Sequence, residues 1–280
     1  MRARLGTARA MGPFAVALGL LGAGAALSAD APRGGPVDLL LVLAVDVSDS
    51  ISGEEARLQR DGYVAAVVDP AVIAAIAGGR HGSIAIAYVE WAGPEEQRTV
   101  VGWTRVEGPE SGRALSDALA RQPVGRGYWT SLSGAIDYAA ALIAGAPFQG
   151  TRRVIDLSGD GRNNAGAPVA ASRDRALARG ITINALPLMF RRQNFTWPPV
   201  PFLDRYFEQC VIGGPGAFVE VVESFRDFGR AVRRKLLREI ARAAGQPTGA
   251  VPAADTVPAA KIDCGEPPPR AAAEPAARRG

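Results

Sequence analysis

The sequence predicts an α/β fold, in which a single doubly wound and mostly parallel sheet is flanked by helices and carries one antiparallel edge strand. The first observation behind this prediction is the segment Leu39–Val45, an unbroken run of apolar residues without alternation. A strand of that kind is buried on both faces, as in a parallel sheet that helices cover. The second observation is that further strand-like segments alternate with helical segments along the chain, which is typical of a doubly wound sheet.

Six segments have the length and composition of strands. The third is joined to the second by only a short polar turn, Gly93–Gln97, so we expect these two strands to pair antiparallel at an edge. In chain order, the predicted strands are Leu39–Val45, Ser83–Trp91, Arg98–Trp103, Thr151–Leu157, Ile181–Leu188 and Ala217–Val221.

Helical segments follow most of these strands. The first ends at Asp69-Pro70, because the residue before a proline disfavours helix. The last is amphipathic, with apolar residues at spacings of three and four. In chain order, the predicted helices are Glu54–Val68, Ala71–Ala77, Glu110–Arg121, Ser131–Ala144, Pro168–Arg179, Phe202–Cys210 and Glu223–Ala244.

Residues 1–29 have the features of an export signal. Arg2, Arg4 and Arg9 precede the apolar stretch Pro13–Leu27, and small residues follow near Ala29. The apolar stretch is shorter than the roughly 20 residues that a membrane-spanning helix needs. We therefore expect cleavage near Ala29 and a periplasmic or secreted protein, with retention as an N-terminal anchor as the alternative.

One large domain accounts for most of the remaining chain. We expect a linker at 30–36, the domain at 37–244 and a disordered tail at 245–280, where Pro and Ala are frequent and periodicity is lacking. The formal net charge of +4 falls close to neutral without the three signal arginines, and so does not indicate nucleic-acid binding. Export permits a disulfide between Cys210 and Cys264, which would attach the tail to the domain; two separate thiols are the alternative.

Polar oxygen ligands follow the first strand. Asp46, Ser48 and Ser50 occur at a spacing of two directly after the apolar run. In open α/β sheets, ligands bind just beyond the carboxyl ends of the strands. Carboxylate and hydroxyl oxygens suit hard cations such as Mg²⁺, Mn²⁺ or Ca²⁺.

The pattern Asp46-x-Ser48-x-Ser50 resembles the first segment of the metal-ion-dependent adhesion site of von Willebrand factor A domains. That site needs two further pieces, a loop threonine and an aspartate followed by glycine after another buried strand. Both are present, at Thr130 and at Asp160-Gly161. The resemblance covers most of the chain outside the signal and the tail. The stretches VDLLLVLAVDVSDS, HGSIAIAYVEWAG, TRRVIDLSGDGRNN and CVIGGPGAF further resemble a group of exported bacterial A-domain-like proteins without an established activity.

The resemblance implies a function as well as a fold. It implies that the two serines and the threonine touch a weakly bound divalent ion, and that the two aspartates act mostly through bound water. It also implies that the ion recruits a Glu or Asp carboxylate from a protein partner. We therefore expect a non-catalytic binding module without a nucleic-acid partner, with membrane contact only through an uncleaved signal. The implied metal ligands are Asp46, Ser48, Ser50, Thr130 and Asp160.

Four neighbouring residues have open interpretations. Thr130 stands at a predicted helix start, where threonine is a common N-cap, and a cap and a metal ligand are not exclusive. Asp49 adds a third acid to the motif, facing solvent or raising metal affinity. Asp156 lies inside a predicted buried strand, where a carboxylate needs partners. We expect it to accept hydrogen bonds from nearby loop amides, with orientation of the metal ligands as the alternative. Glu90 has the same two interpretations.

The main functional alternative is a Mg²⁺-dependent phosphoester hydrolase that uses Asp46, Asp156 and Asp160. Arg126 and Arg162 would then hold the phosphate, but the loops contain no evident general base. A third possibility is a fold that has lost its ion and serves in assembly.

Other signals are weaker. The only histidine, His81, precedes a strand and is expected at the opposite end of the sheet, so a catalytic triad is not expected. The basic last helix is expected to present a solvated face, with an anionic partner as the alternative. The Trp/Pro-rich segment Arg191–Pro201 is either a contact loop or a strap over the sheet edge.

Overall fold

The chain forms one mixed sheet in the order β3-β2-β1-β4-β5 within the residues that the computed structural model describes, which are 34–189, 200–243 and 262–265. Strands β1, β2, β4 and β5 are parallel, and β3 pairs antiparallel with β2 at one edge. The predicted sheet is therefore confirmed. The strands are β1 (Pro36–Asp46), β2 (Ile84–Trp91), β3 (Gln97–Val106), β4 (Gln149–Gly159) and β5 (Thr182–Pro187).

Helices cover both faces of this sheet and bury the apolar runs that predicted it. One face packs against α1, α2, α3 and α7, and the other against α4, α5 and the segment after β5. Alternate residues of β1 enter the two cores: Leu41 and Leu43 belong to the first, and Val42 and Ala44 to the second. The helices are α1 (Gly53–Ala66), α2 (Pro70–Ala77), α3 (Pro109–Arg121), α4 (Leu132–Ala144), α5 (Val169–Ala178), α6 (Leu203–Tyr206) and α7 (Phe228–Ala243).

Three predicted elements differ from the structure. The segment 217–221 does not form a regular strand; it touches β5 through isolated bridges, such as the hydrogen bond from Glu220 N to the Ala185 carbonyl at 2.9 Å. The predicted helix Phe202–Cys210 consists of the short α6 followed by a π-helical turn at Phe207–Val211. The last helix begins later than expected, because Ser224 caps a 3₁₀ turn at Phe225–Asp227 before α7.

A buried charge cluster joins α7 to the sheet. Lys235 is 1% exposed, and its Nζ lies 2.6 Å from Asp156 Oδ1 and 2.7 Å from Glu239 Oε1. Asn184 of β5 donates a hydrogen bond of 3.0 Å to the same Glu239 oxygen. The expectation that Asp156 accepts hydrogen bonds from loop amides is therefore wrong, since its partner is an ammonium on a distant helix.

Three arginines of α7 are also paired with acids. Arg233 pairs with Asp69 at 2.7 Å, and Arg234 pairs with Glu220 at 2.7 Å. Arg230 pairs with Asp227. The basic face of the helix is therefore largely neutralised by neighbouring carboxylates.

Cys210 and Cys264 form a disulfide with their Cα atoms 5.5 Å apart. This resolves the alternative between a bridge and separate thiols. Ile262 N also donates to Gln209 Oε1 at 2.8 Å, so the short segment 262–265 is attached to the domain at two points.

The predicted export signal, the first four residues of the linker, most of the tail and nearly all of the Trp/Pro-rich segment lie outside the described residues, and they stay predictions. Among the described residues, no helix combines the length and apolarity needed to cross a membrane.

Candidate metal centre

The loop after β1 places the first three predicted ligands. Asp46 and Ser48 are completely buried, and Ser48 N donates to Asp46 Oδ1 at 2.8 Å. The hydroxyls of Ser48 and Ser50 lie 3.0 Å apart. The chain then enters α1 through a capping box between Ser52 and Glu55, which fixes the direction in which the loop leaves the sheet.

Asp160 joins this loop from the neighbouring strand. Because β1 and β4 are adjacent and parallel, the loops at their carboxyl ends meet at one edge of the sheet. Ser50 Oγ donates a hydrogen bond of 2.7 Å to Asp160 Oδ1. Two of the three predicted pieces are thus in direct contact across 110 residues of sequence.

Thr130 comes from a third loop, and it is not the N-cap of α4. The cap of α4 is Ser131, whose Oγ accepts a hydrogen bond from Gly134 N at 3.1 Å. Thr130 is 5% exposed and packs against Gly161, where an added Cβ would lie 3.3 Å from Thr130 Oγ1. A glycine after Asp160 therefore lets the threonine approach closely, and the Thr130 hydroxyl is not used as the helix cap.

Two asparagines to which the sequence assigned no role hold these loops together. Thr130 N donates to Asn164 Oδ1, and Asn164 N donates to the Thr130 carbonyl, both at 2.8 Å. Asn163 Oδ1 accepts from Ser133 N at 2.9 Å. Both asparagines lie in the stretch GDGRNN. The two amide side chains after the Asp-Gly pair were therefore the feature of the sequence that could have indicated these contacts.

Glu90 has a structural role in the same region. It is 2% exposed, pairs with the buried Arg60 and with Arg98 at 2.6 Å, and accepts from Gly125 N at 2.8 Å. Glu96 in turn accepts from Tyr128 N at 2.8 Å. These two carboxylates fix the loop that carries Thr130, and neither belongs to the candidate site.

The electrostatics of Asp46 fit a divalent cation. Burial and, to a lesser extent, the nearby Asp160 charge raise the pKa of the Asp46 carboxyl to about 8, against hydrogen bonds from Ser48 and the Asp160 backbone. Asp46 Oδ2 is buried without a hydrogen-bond partner. A buried carboxylate oxygen beside a second carboxylate lacks a positive charge, and a divalent ion supplies one.

The site is poor in carboxylates and rich in hydroxyls. Within the described part of the chain, no group of three or more His, Cys, Asp or Glu side chains is placed to hold a metal ion. Asp49 is partly exposed and has no hydrogen bond or ion pair with a described residue. Asp46 and Asp160 are therefore the two carboxyl groups of the cluster, with three hydroxyls as the remaining oxygens.

The structure separates the carboxylates of the hydrolase alternative. Asp156 lies on the face of the sheet that packs against α7, where it pairs with Lys235. Asp46 lies on the opposite face, since a Cβ on Gly159 would meet both Asp46 Oδ2 and the ring of Trp91. Asp156 therefore does not join Asp46 and Asp160. His81 lies at the other end of the sheet, where its N donates to Asp38 Oδ1 at 3.0 Å.

Comparison with protein families identifies the chain. A family model described as a protein of unknown function, DUF1194, matches residues 36–244. The chain belongs to this family. No curated protein matches the sequence.

Solved structures share the fold at low sequence identity. Proximal thread matrix protein 1 from the mussel byssus has a TM-score of 0.53 and 17% identity over 74% of this chain and 48% of that chain. The pilus adhesin SpaC from Lactobacillus rhamnosus GG, in its open conformation, has a TM-score of 0.54 and 14% identity over 76% and 31%. A von Willebrand factor type A structure from Catenulispora acidiphila has a TM-score of 0.49 and 15% identity over 75% and 43%.

A further structure of the mussel protein has zinc in its metal-ion-dependent adhesion motif. It has a TM-score of 0.50 and 16% identity over 72% of this chain and 47% of that chain. This chain thus spans about half or less of each of these structures. The DUF1194 chain therefore shares the fold of the mussel byssus protein and the pilus adhesin, which agrees with the von Willebrand factor A-like fold that the sequence resemblance implied.

Proposed function

We propose that this DUF1194 chain is an exported, non-catalytic binding module. Its site holds a divalent cation, Mg²⁺ or alternatively Mn²⁺ or Ca²⁺, and engages a Glu or Asp carboxylate on a protein partner. The ligands are Asp46, Ser48, Ser50, Thr130 and Asp160. The zinc-occupied motif of the mussel protein supports a divalent ion in this fold, and the extracellular setting of a byssus protein and a pilus adhesin supports export.

The unpartnered Asp46 Oδ2 carries the proposal. It is the buried carboxylate oxygen of a cluster that already connects Ser48, Ser50 and Asp160 through short hydrogen bonds. A bound divalent ion supplies positive charge and a coordination position for an external carboxylate. With only two carboxylates in the cluster, the ion keeps much of its charge, which favours recruitment of a third carboxylate.

The absence of a catalytic role is part of the proposal. With Asp156 held by Lys235 on the other face of the sheet, two carboxylates remain near the hydroxyls. Both belong to the proposed ligand set, and neither is free to act as a general base. This arrangement supports docking over hydrolysis.

The test is a titration of the full chain with Mn²⁺, in which the relaxation rate of water protons is measured. This method detects weak binding. The wild-type protein should show a saturable enhancement of the water-proton relaxation rate. The variants Ser48→Ala and Asp160→Ala should lose this enhancement. The control is Asp117→Ala, which removes an exposed carboxylate from α3 and should match wild type. Equal enhancement in all four proteins, or none in wild type, would contradict the metal site.

A second step tests the carboxylate. The peptide Ac-GGDGG-NH2, added to the Mn²⁺-loaded protein, should reduce the enhancement, because its carboxylate displaces a water from the ion. The amide analogue Ac-GGNGG-NH2 should have no such effect. If both peptides leave the enhancement unchanged while Mn²⁺ stays bound, the site binds metal and does not dock carboxylates.

A further inference from the structure

Exposed aromatic side chains lie beside the candidate metal centre. Tyr128 is 68% exposed and Trp129 is 39% exposed, directly before the proposed ligand Thr130. Arg126 on the same loop is exposed, and no described residue pairs with it. The loop reaches the site itself, because Gly127 N donates to the Val47 carbonyl at 3.0 Å, next to Ser48.

The backbone of this loop is held in an unfavourable conformation. Trp129 has a φ of 66°, in the left-handed region that bulky residues rarely adopt and glycine adopts freely. The conformation persists because hydrogen bonds fix both neighbours: Tyr128 N donates to Glu96 Oε2 and Thr130 N to Asn164 Oδ1, each at 2.8 Å. A tryptophan at this position costs stability, and its side chain is left partly in solvent.

The residue types match those that dominate protein interfaces. Arg, Tyr and Trp are enriched where binding energy concentrates, because they combine a large apolar area with a polar or charged group. The arginines of α7 differ from Arg126 in this respect, since Arg230, Arg233 and Arg234 are all paired with carboxylates of the chain itself. Unpaired positive charge and exposed aromatic surface therefore occur together on the loop beside the metal centre.

We propose that the segment 126–129, which we call the aromatic rim, selects the protein partner. It does so by contacting the partner residues next to the carboxylate that binds the metal. This inference depends on the function proposed above. The positive charge of the metal and of Arg126 favours an acidic segment, and Tyr128 and Trp129 favour apolar side chains beside the acid. The partner segment is therefore an aspartate or glutamate flanked by aromatic or large aliphatic residues.

The test compares two peptides that present the same carboxylate. Ac-GFDFG-NH2 and Ac-GGDGG-NH2 are titrated into the full chain with saturating Mg²⁺, and binding is followed by the backbone amide N–H signals in NMR spectra. Wild type should bind the phenylalanine peptide about fivefold or more tightly than the glycine peptide, from ring contacts with the aromatic rim. Removal of Mg²⁺ with EDTA should abolish both interactions.

The decisive variant is Trp129→Gly. It should lose the preference for the phenylalanine peptide and keep the weaker binding of Ac-GGDGG-NH2. Its melting temperature should equal or exceed that of wild type, because glycine relieves the left-handed backbone. The matched control is Val68→Ser, which removes an apolar side chain that is 38% exposed in the turn after α1 and should retain the preference.

Each outcome separates the inference from the proposed function. Equal affinity of wild type for the two peptides would overturn the aromatic rim and leave carboxylate docking intact. Failure of both peptides to bind would contradict the proposed function itself. A preference for the phenylalanine peptide that survives in EDTA would also overturn the inference, and so would a large drop in the melting temperature of Trp129→Gly. Binding of the carbohydrate maltohexaose that depends on Trp129, without any preference between the two peptides, would overturn it as well.

Discussion

Replacement of Lys235 by methionine tests the buried charge cluster that joins α7 to the sheet. Methionine nearly preserves the length of the side chain and removes the ammonium that lies between Asp156 and Glu239. Removing one partner of a buried ion pair typically costs about 3–5 kcal/mol, because the remaining charge is left without compensation. Since this ammonium serves two carboxylates, we expect Lys235→Met to lower the free energy of unfolding by about 4 kcal/mol.

The loss should depend on pH in a defined direction. Burial raises the pKa of Asp156 to about 7, against the lowering effect of the Lys235 charge. The folded state therefore holds a proton that the unfolded state releases near pH 4, so this contribution to stability is complete at low pH and is lost as the pH rises through about 7. Without the ammonium the pKa of Asp156 rises further, and the destabilisation should be larger at pH 8 than at pH 5.

Urea denaturation followed by circular dichroism at pH 5 and pH 8 measures both effects. The control on the same helix is Arg234→Met, which breaks the ion pair between Arg234 and Glu220. Because the Arg234 side chain is 54% exposed, this change should alter the free energy of unfolding by less than about 1 kcal/mol. A loss of under about 1 kcal/mol for Lys235→Met, or the same loss at both pH values, would refute the reasoning.

Four other substitutions have distinct expected results. Thr130→Val should weaken Mn²⁺ binding and keep the melting temperature, whereas Ser131→Ala should lose about 1 kcal/mol of stability because it removes the cap of α4; equal melting temperatures in both variants would contradict this division of roles. Glu90→Gln should lose about 3 kcal/mol of stability in urea denaturation, because the buried Arg60 loses its charged partner. It should also bind Mn²⁺ more weakly, because the Gly125 amide loses a charged acceptor in the loop that carries Thr130. Unchanged stability would argue against the role of Glu90 in holding this loop. Cys264→Ser should lose at most about 4 kcal/mol, from a cross-link that spans 54 residues, and a wild-type melting temperature insensitive to reductant would disagree.

The sheet was predictable because the local composition of the chain indicates where its strands lie. An apolar run such as Leu39–Val45 has one stable location, the centre of a covered parallel sheet, and the structure buries all of it. The short polar turn before β3 likewise determined its antiparallel pairing. The segment 217–221 was not predictable in this way, because its contact with β5 consists of isolated bridges and does not have the regularity of a ladder.

The partner of Asp156 was not predictable from local patterns. Lys235 lies far away in sequence, and α7 was interpreted as a basic solvated helix. A signal was nevertheless present, because Phe228, Val232, Lys235 and Glu239 follow each other at spacings of three and four and therefore lie on one face. Two charged residues on an apolar stripe indicate a buried pair, and only the fold shows that a strand aspartate joins them.

The candidate site was predictable as a set of residues and not as a set of contacts. The spacing after β1 and the Asp160-Gly161 pair indicated which loops would meet. The role of Thr130 depended on a helix boundary, which is uncertain by a residue or two from sequence, and the cap proved to be Ser131. The amide contacts of Asn164 and the outward aromatic rim depend on loop conformation, which residue types alone do not specify.

The central claim is that three loops of this chain form one divalent metal site. Its most direct test is an anomalous difference map from crystals of the protein soaked in MnCl₂. The account predicts a single strong peak among the oxygens of Ser48, Ser50 and Thr130, and its loss in crystals of Asp160→Ala. A map without a peak there, or with Mn²⁺ bound only at other carboxylates, would contradict the account.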